Sequence, residues 1–180
     1  MFTRVTEPTL LADGVVRLGT ELVNWYLLED GGRVTIVDAG APSYRPQLER
    51  GLALLGHLVT AGMPKKLAIV TTFGDGETLD VPGRPRVLHT PGHTAGHVCF
   101  WLESQGVLIA GDLLCSRNPL TGARGPQLMP SPFNASNAEL LDSLAKIEQL
   151  AAETIVFGHG EPWTGGAAEA VRLARATGPT

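Results

Sequence analysis

Four short apolar runs in this chain end in the same way, and that repetition constrains the fold more than any other feature. Val34-Thr35-Ile36-Val37 runs into Asp38-Ala39-Gly40, and Val107-Leu108-Ile109-Ala110 into Gly111-Asp112. Thr154-Ile155-Val156-Phe157 runs into Gly158-His159-Gly160, and Val87-Leu88 into His89-Thr90-Pro91-Gly92-His93. Each run reads as a buried strand that delivers Asp or His at its carboxyl end, next to glycine. Loops gathered at one edge of a rigid sheet are where binding groups collect. His, Asp and His form a nitrogen and oxygen donor set suited to zinc, iron or manganese. His93 stands on a tight turn, since Pro91 fixes its own φ and Gly92 permits unusual ones.

The rest of the chain reads as mixed α and β. Residues 15–18, 23–28 and 34–37 predict strands, the last after an Asp30-Gly31-Gly32 turn. Pro42-Ser43 opens a helix over 44–59 with an apolar stripe of Leu48, Leu52, Leu55 and Val59; His57 lies off that stripe. Strands are expected at 67–72 and 77–80, and again near Val87, Val98, Val107 and Ile155. Residues 116–137 carry four prolines and two glycines and predict one long irregular loop. It follows Asp112 closely, so it is expected to act as a lid or substrate wall, with Arg117, Arg124, Met129 and Phe133 as contacts. Ser136 caps a helix through about residue 149, with Glu139 placed for a capping box. A last helix spans 167–176.

Asp38-Ala39-Gly40, Thr90-Pro91-Gly92-His93-Thr94-Ala95-Gly96-His97, Gly111-Asp112 and Gly158-His159-Gly160 together resemble the metallo-β-lactamase superfamily, in the proper order. The glyoxalase II-like and lactonase-like hydrolase branches are the nearest in pattern. The resemblance implies an αββα sandwich of α/β class and a hydrolase acting on a small ester, lactone or thioester. It also implies metal ligands at His93, Asp112 and His159, with Asp112 bridging, and supporting roles for Asp38 and His97. One departure is large. The superfamily's HxHxDH motif, expected between Asp38 and His93, is absent from the sequence. The chain therefore reads as a single domain over 1–180 with an internal deletion between about 57 and 68, shortened in the first half of the sandwich.

With that motif gone, each metal position loses ligands. The remaining His, Asp and His can still hold one divalent metal, zinc or else iron or manganese, as three protein ligands plus water; Asp112 is then the catalytic carboxylate. The alternative needs no metal: Asp112 between two imidazoles forms a charge-assisted cluster, and the chain is an inactive binding or scaffold version of the fold. The net charge of −4 and the lack of a Lys/Arg cluster argue against a nucleic-acid partner. No signal-peptide pattern and no membrane-length apolar run stand out, so a cytoplasmic location with no membrane partner is expected. Cys99 and Cys115 are expected to be buried free thiols. A second copy is expected to cover the shortened half through residues 52–72, giving a homodimer.

Overall fold

Period-two alternation builds the first sheet. In the computed structural model, which describes residues 6–20, 22–38, 45–56 and 71–180, strands β1 (Thr9–Ala12), β2 (Val15–Gly19), β3 (Asn24–Asp30) and β4 (Arg33–Val37) pair in that order, all antiparallel. Val15, Tyr26 and Leu28 point to one face, and Val16, Leu18, Trp25 and Leu27 to the other. Both faces are buried, which is why the strands read as near-continuous apolar runs. Helix α1 (Arg45–Leu54) covers the outer face with Leu48 and Leu52, joined by Leu55 just beyond it.

The second sheet has the order β10-β7-β6-β5, built from β5 (Arg86–His89), β6 (Val98–Leu102), β7 (Val107–Gly111) and β10 (Thr154–Phe157). β10 runs parallel to β7 and the other pairs are antiparallel. Leu102, Val107, Ile109 and Val156 meet the inner face of the first sheet. Trp101, Leu108, Ala110, Ile155 and Phe157 face outward onto α2 (Asn137–Ser143), α3 (Ala145–Glu148) and α4 (Ala167–Thr177). The layers are therefore helix, sheet, sheet, helices, as an αββα sandwich requires.

Several local expectations are corrected. Residues 116–137 are not one irregular loop: β8 (Leu114–Arg117) and β9 (Arg124–Leu128) form a two-stranded hairpin, followed by a short 3-10 turn at Ser131–Phe133. Pro126 is tolerated inside β9 because it sits at the register shift opposite Ser116, where the ladder needs no N–H from it. The expected strand at 77–80 is only an isolated bridge between Thr78 and Arg86. The helix expected through residue 149 is two short helices that meet at Leu144. β1 was not legible as a strand. Its two leading residues are exposed, so the apolar count there is weak. His57, the end of the 44–59 helix, most of the 67–72 strand and the proposed deletion point lie outside the described residues.

Cys99 and Cys115 are buried free thiols, and burial pushes both up to about 12. Among the described residues no helix is long and apolar enough to cross a membrane.

Candidate metal centre

Three strand ends supply the central groups. β7 ends at Gly111 and hands on Asp112; β10 ends at Phe157, two residues before His159; β5 ends at His89, four before His93. The parallel pairing of β10 with β7 aligns their carboxyl ends, and Gly158 N–H donates to the Gly111 carbonyl at 3.0 Å. The turn carrying His93 is anchored from the far side of the sheet. Ala135 N–H donates to the His93 carbonyl, Ser136 N–H to that of Gly92, and Ser143 Oγ to that of Pro91 at 2.7 Å. Gly92 has φ +135°, and a Cβ there would lie 2.4 Å from the Leu140 backbone, so only glycine lets α2 pack this close beneath the turn.

The structure brings His93, Asp112 and His159 together in a specific way. His93 Nε2 lies 3.5 Å from Asp112 Oδ2, and His159 Nε2 lies 3.6 Å from Asp112 Oδ1. These contacts are too long for good hydrogen bonds, and Oδ1 is buried without a hydrogen-bond partner. Each imidazole serves its own carboxylate oxygen. Among the described residues, no three His, Cys, Asp or Glu side chains form a set ready to hold one metal ion. The His-Asp-His set is laid out as two donor pairs that share Asp112.

The tautomers can be worked out from the surroundings. The Asn134 amide donates to the Met129 carbonyl and to Asn137 Oδ1, both at 2.8 Å, which turns its own Oδ1 toward His93 Nδ1 at 3.3 Å. His93 Nδ1 must then be the donor. His159 Nδ1 likewise donates to the Leu22 carbonyl. In a neutral ring this leaves both Nε2 lone pairs aimed at Asp112, the arrangement of metal-bound histidines whose other nitrogen is held by a carbonyl. Two donors about 2.1 Å from a tetrahedral ion stand ~3.4 Å apart, close to both separations found here. The residues fit a divalent cation in donor type, tautomer and pairwise spacing, and supply two donors rather than three at either position.

His97 has a different role. Its Nε2 accepts from the Asp112 N–H at 3.1 Å, and its Nδ1 lies within hydrogen-bond reach of Thr90. Burial holds its pKa below the ordinary imidazole range, so it is a neutral acceptor that orients Asp112. Gly111 makes this possible, since a Cβ there would come within 2.8 Å of His97 Nε2. Burial works to raise the Asp112 carboxyl, but the neighbouring His159, His93 and His97 outweigh it and keep the group below the usual carboxylate range. The adjacent Asp112 carboxylate raises His159 against the effect of burial. Asp38, at the end of β4 with φ +61°, lines a cavity of about 220 Å³ together with Asp112, His97, His159, Tyr26 and Val37.

Two further groups hold the His159 turn and were missed in the sequence. Asn24 is buried. Its amide donates to the carbonyls of Phe157 and Gly160, and its Oδ1 accepts from Arg17 Nε at 3.0 Å. Arg17, also buried, forms a two-pronged ion pair with Glu161. Of the lid residues expected between 116 and 137, Met129 is buried, Phe133 is half exposed, and Arg117 and Arg124 line a second cavity.

Comparison with known proteins bears on the family and the fold. The sequence profile of the Metallo-beta-lactamase superfamily matches residues 50–159. The hydroxyacylglutathione hydrolase of Klebsiella pneumoniae is 28% identical over 159 residues, covering 73% of this chain and 59% of that protein. The protein of the same name from Rhizobium meliloti is 33% identical over 115 residues, 61% of this chain and 39% of the relative. That from Rhodospirillum rubrum is 37% identical over 75 residues. The chain spans 25% of the length of the last, so these matches cover only part of each relative. Among solved structures, a metallo-beta-lactamase family protein from Thermus thermophilus superposes with a TM-score of 0.68 at 24% identity, over 93% of this chain and 80% of that one. The FIM-1 metallo-beta-lactamase of Pseudomonas aeruginosa in its mono-zinc form gives 0.62 at 18% identity, over 96% of each chain. The chain belongs to the metallo-beta-lactamase superfamily.

Proposed function

We propose that this chain is a hydrolase-type member of the superfamily that acts on a small ester, lactone or thioester with the help of one weakly held divalent metal, zinc in preference to iron or manganese. The observation that carries this reading is the Asp112 carboxylate with one imidazole Nε2 facing each oxygen, His93 at Oδ2 and His159 at Oδ1, and with Oδ1 buried and without a hydrogen-bond partner. Without a cation or an added proton, that arrangement sets like against like. Asp112 with His93 or His159 would hold the ion, and water or substrate would complete its shell. A metal in such a site supplies Lewis acidity and a bound water with a pKa near 7.

The chain's own groups do the rest. The apolar side of the smaller cavity, Val23, Tyr26, Val37 and Ile109, shields one flank of Asp112 from water and has room for a small acyl group. His159, raised by Asp112, can hold a proton at Nε2. Hydrolysis of a panel of thioesters, lactones and β-lactams should be feeble, abolished by a chelator and restored by zinc or manganese. Turnover that survives both chelation and His93→Ala would contradict the reading.

A second reading has its own support. Either donor pair is one ligand short of an ordinary catalytic set, which favours a metal-free binding or scaffold version of the fold. Stable folding with no metal uptake and no hydrolysis would establish it. We also propose a cytoplasmic protein with no nucleic-acid or membrane partner; the net charge of −4 supports the first of these absences.

We also propose a homodimer through the shortened half. β4 ends the strand order of the first sheet among the described residues, and Ile36 and Leu54 are about half exposed. Strand edges and apolar patches of this kind invite a second chain. Sedimentation at micromolar concentration should give a dimer that Ile36→Lys or Leu54→Lys weakens; a clean monomer would refute it.

A further inference from the structure

The cavity of about 220 Å³ is a gap between the two sheets that opens at Asp112. Asn24, Tyr26 and Val37 of the first sheet line one wall, and Ile109, Gly111 and His159 line the other. Tyr26 and Val37 are direct cross-strand partners. Tyr26 and Ile109 belong to the core between the sheets, and Val37 packs against it. Ile109 lies one strand repeat, about 7 Å, below Gly111. Beyond it Val15, Leu28, Leu102 and Val107 are buried and close the core. The gap is therefore a blind cleft with Asp112 at its mouth and Ile109 at its floor.

Close packing leaves few voids larger than a water molecule in a domain, and a void among core side chains costs stability. The lining is also chemically selective. Among the described residues no Lys or Arg contributes to it, so an anionic chain end would be buried without a cationic partner. An apolar cavity of about 150 Å³ accepts a molecule the size of benzene. By the same measure this cleft takes roughly six to eight non-hydrogen atoms. That is an acyl group of about four to six carbons with the two polar atoms of its carboxyl derivative.

We propose that this cleft receives the acyl part of the substrate, an uncharged aliphatic chain of about four to six carbons, and that Ile109 sets the length limit. The assignment rests on the hydrolase function proposed above, since a scissile carbonyl at Asp112 places its acyl chain in the cleft. Filling the cleft does not depend on a metal at Asp112, so binding and turnover are separable.

The test is a titration of the full chain, with isoleucine methyl groups labelled and a chelator present, with aliphatic amides from acetamide to octanamide. These carry the acyl group without an easily cleaved bond. The Ile109 methyl NMR signal, identified with Ile109→Val, should shift saturably. Affinity should rise about four-fold per added methylene as far as hexanamide and then stop rising. Succinamate, with its anionic end, should bind at least about ten-fold more weakly than butyramide. Ile109→Ala should extend the rise by roughly two or three carbons, and Ile109→Phe should weaken hexanamide by about ten-fold or more by filling the floor. Ile147→Val, in the outer core, should change neither. Circular dichroism checks that each variant is folded, and Ile109→Val, with a limit about one carbon longer, keeps the test if the alanine variant unfolds. No saturable Ile109 shift with any amide would overturn the proposal, as would the parent length limit in folded Ile109 variants. With zinc added, thioester turnover is expected to follow the same length order, and a different order would overturn the acyl assignment. Length-selective binding without turnover of any thioester would uphold the cleft as a binding site and count against the hydrolase function alone.

Discussion

Asn24→Leu is expected to destabilise the fold by roughly 3–5 kcal/mol in urea unfolding, because the change strips partners from several buried polar groups at once. Asn24 is 3% exposed. Its amide serves the carbonyls of Phe157 and Gly160 at 3.0 and 2.6 Å, and its Oδ1 serves Arg17 Nε. Leucine is close in size and better suited to a core, so a purely packing account predicts little loss. The hydrogen-bond account predicts a large one, since the Gly160 carbonyl and a buried guanidinium N–H would both lose their acceptor or donor. The Phe157 carbonyl keeps Tyr26 OH at 2.6 Å, which limits the damage there. A loss below about 1 kcal/mol would show that the link between the first sheet and the His159 turn is incidental.

Gly92→Ala should be nearly as costly, about 2–5 kcal/mol, and for a different reason. The new Cβ would meet both the Leu140 N and Cα at 2.4 Å, and the backbone there has φ +135°, a region that side-chain-bearing residues rarely adopt. Either the turn or α2 must move, and Leu140 is fully buried in the outer core. Because Ala135 and Ser136 donate to the carbonyls of His93 and Gly92, the same shift would carry His93 away from Asp112. Urea unfolding measures the stability loss, and histidine NMR shifts report the displacement. An alanine variant with parent stability would mean that the turn has slack this packing does not show.

The sandwich itself was legible because its strands are simple. Val107 to Ala110 and Thr154 to Phe157 are uninterrupted apolar runs, and a strand buried on both faces leaves no other reading once glycine bounds it. His93, Asp112 and His159 were legible because each sits just past such a run. The fixing groups were harder to see. Asn134 lies in a segment that proline content marked as irregular, and its importance comes from two hydrogen bonds that orient its amide, which no spacing reveals. Arg17 and Asn24 did leave a signal. Both fall on the inward phase of their strands, shared with Val15, Tyr26 and Leu28, where an apolar residue would be expected. A polar side chain at an inward position needs a partner, and here the partners are on the His159 turn. The β8–β9 hairpin was hidden by Pro126, whose place at a register shift depends on the pairing rather than on the local sequence.

The central claim is that Asp112 and its two flanking imidazoles remain a site for a divalent cation although the HxHxDH motif is absent. Equilibrium dialysis of zinc against the parent chain and Asp112→Asn, with bound metal counted per chain, tests this most directly. The account predicts one zinc bound weakly by the parent and a loss of at least ten-fold in affinity on Asp112→Asn. His93→Ala and His159→Ala should each weaken binding by a smaller factor, since either pair can still offer two donors. Zinc bound equally well by the parent and by Asp112→Asn would place the metal elsewhere and contradict the account.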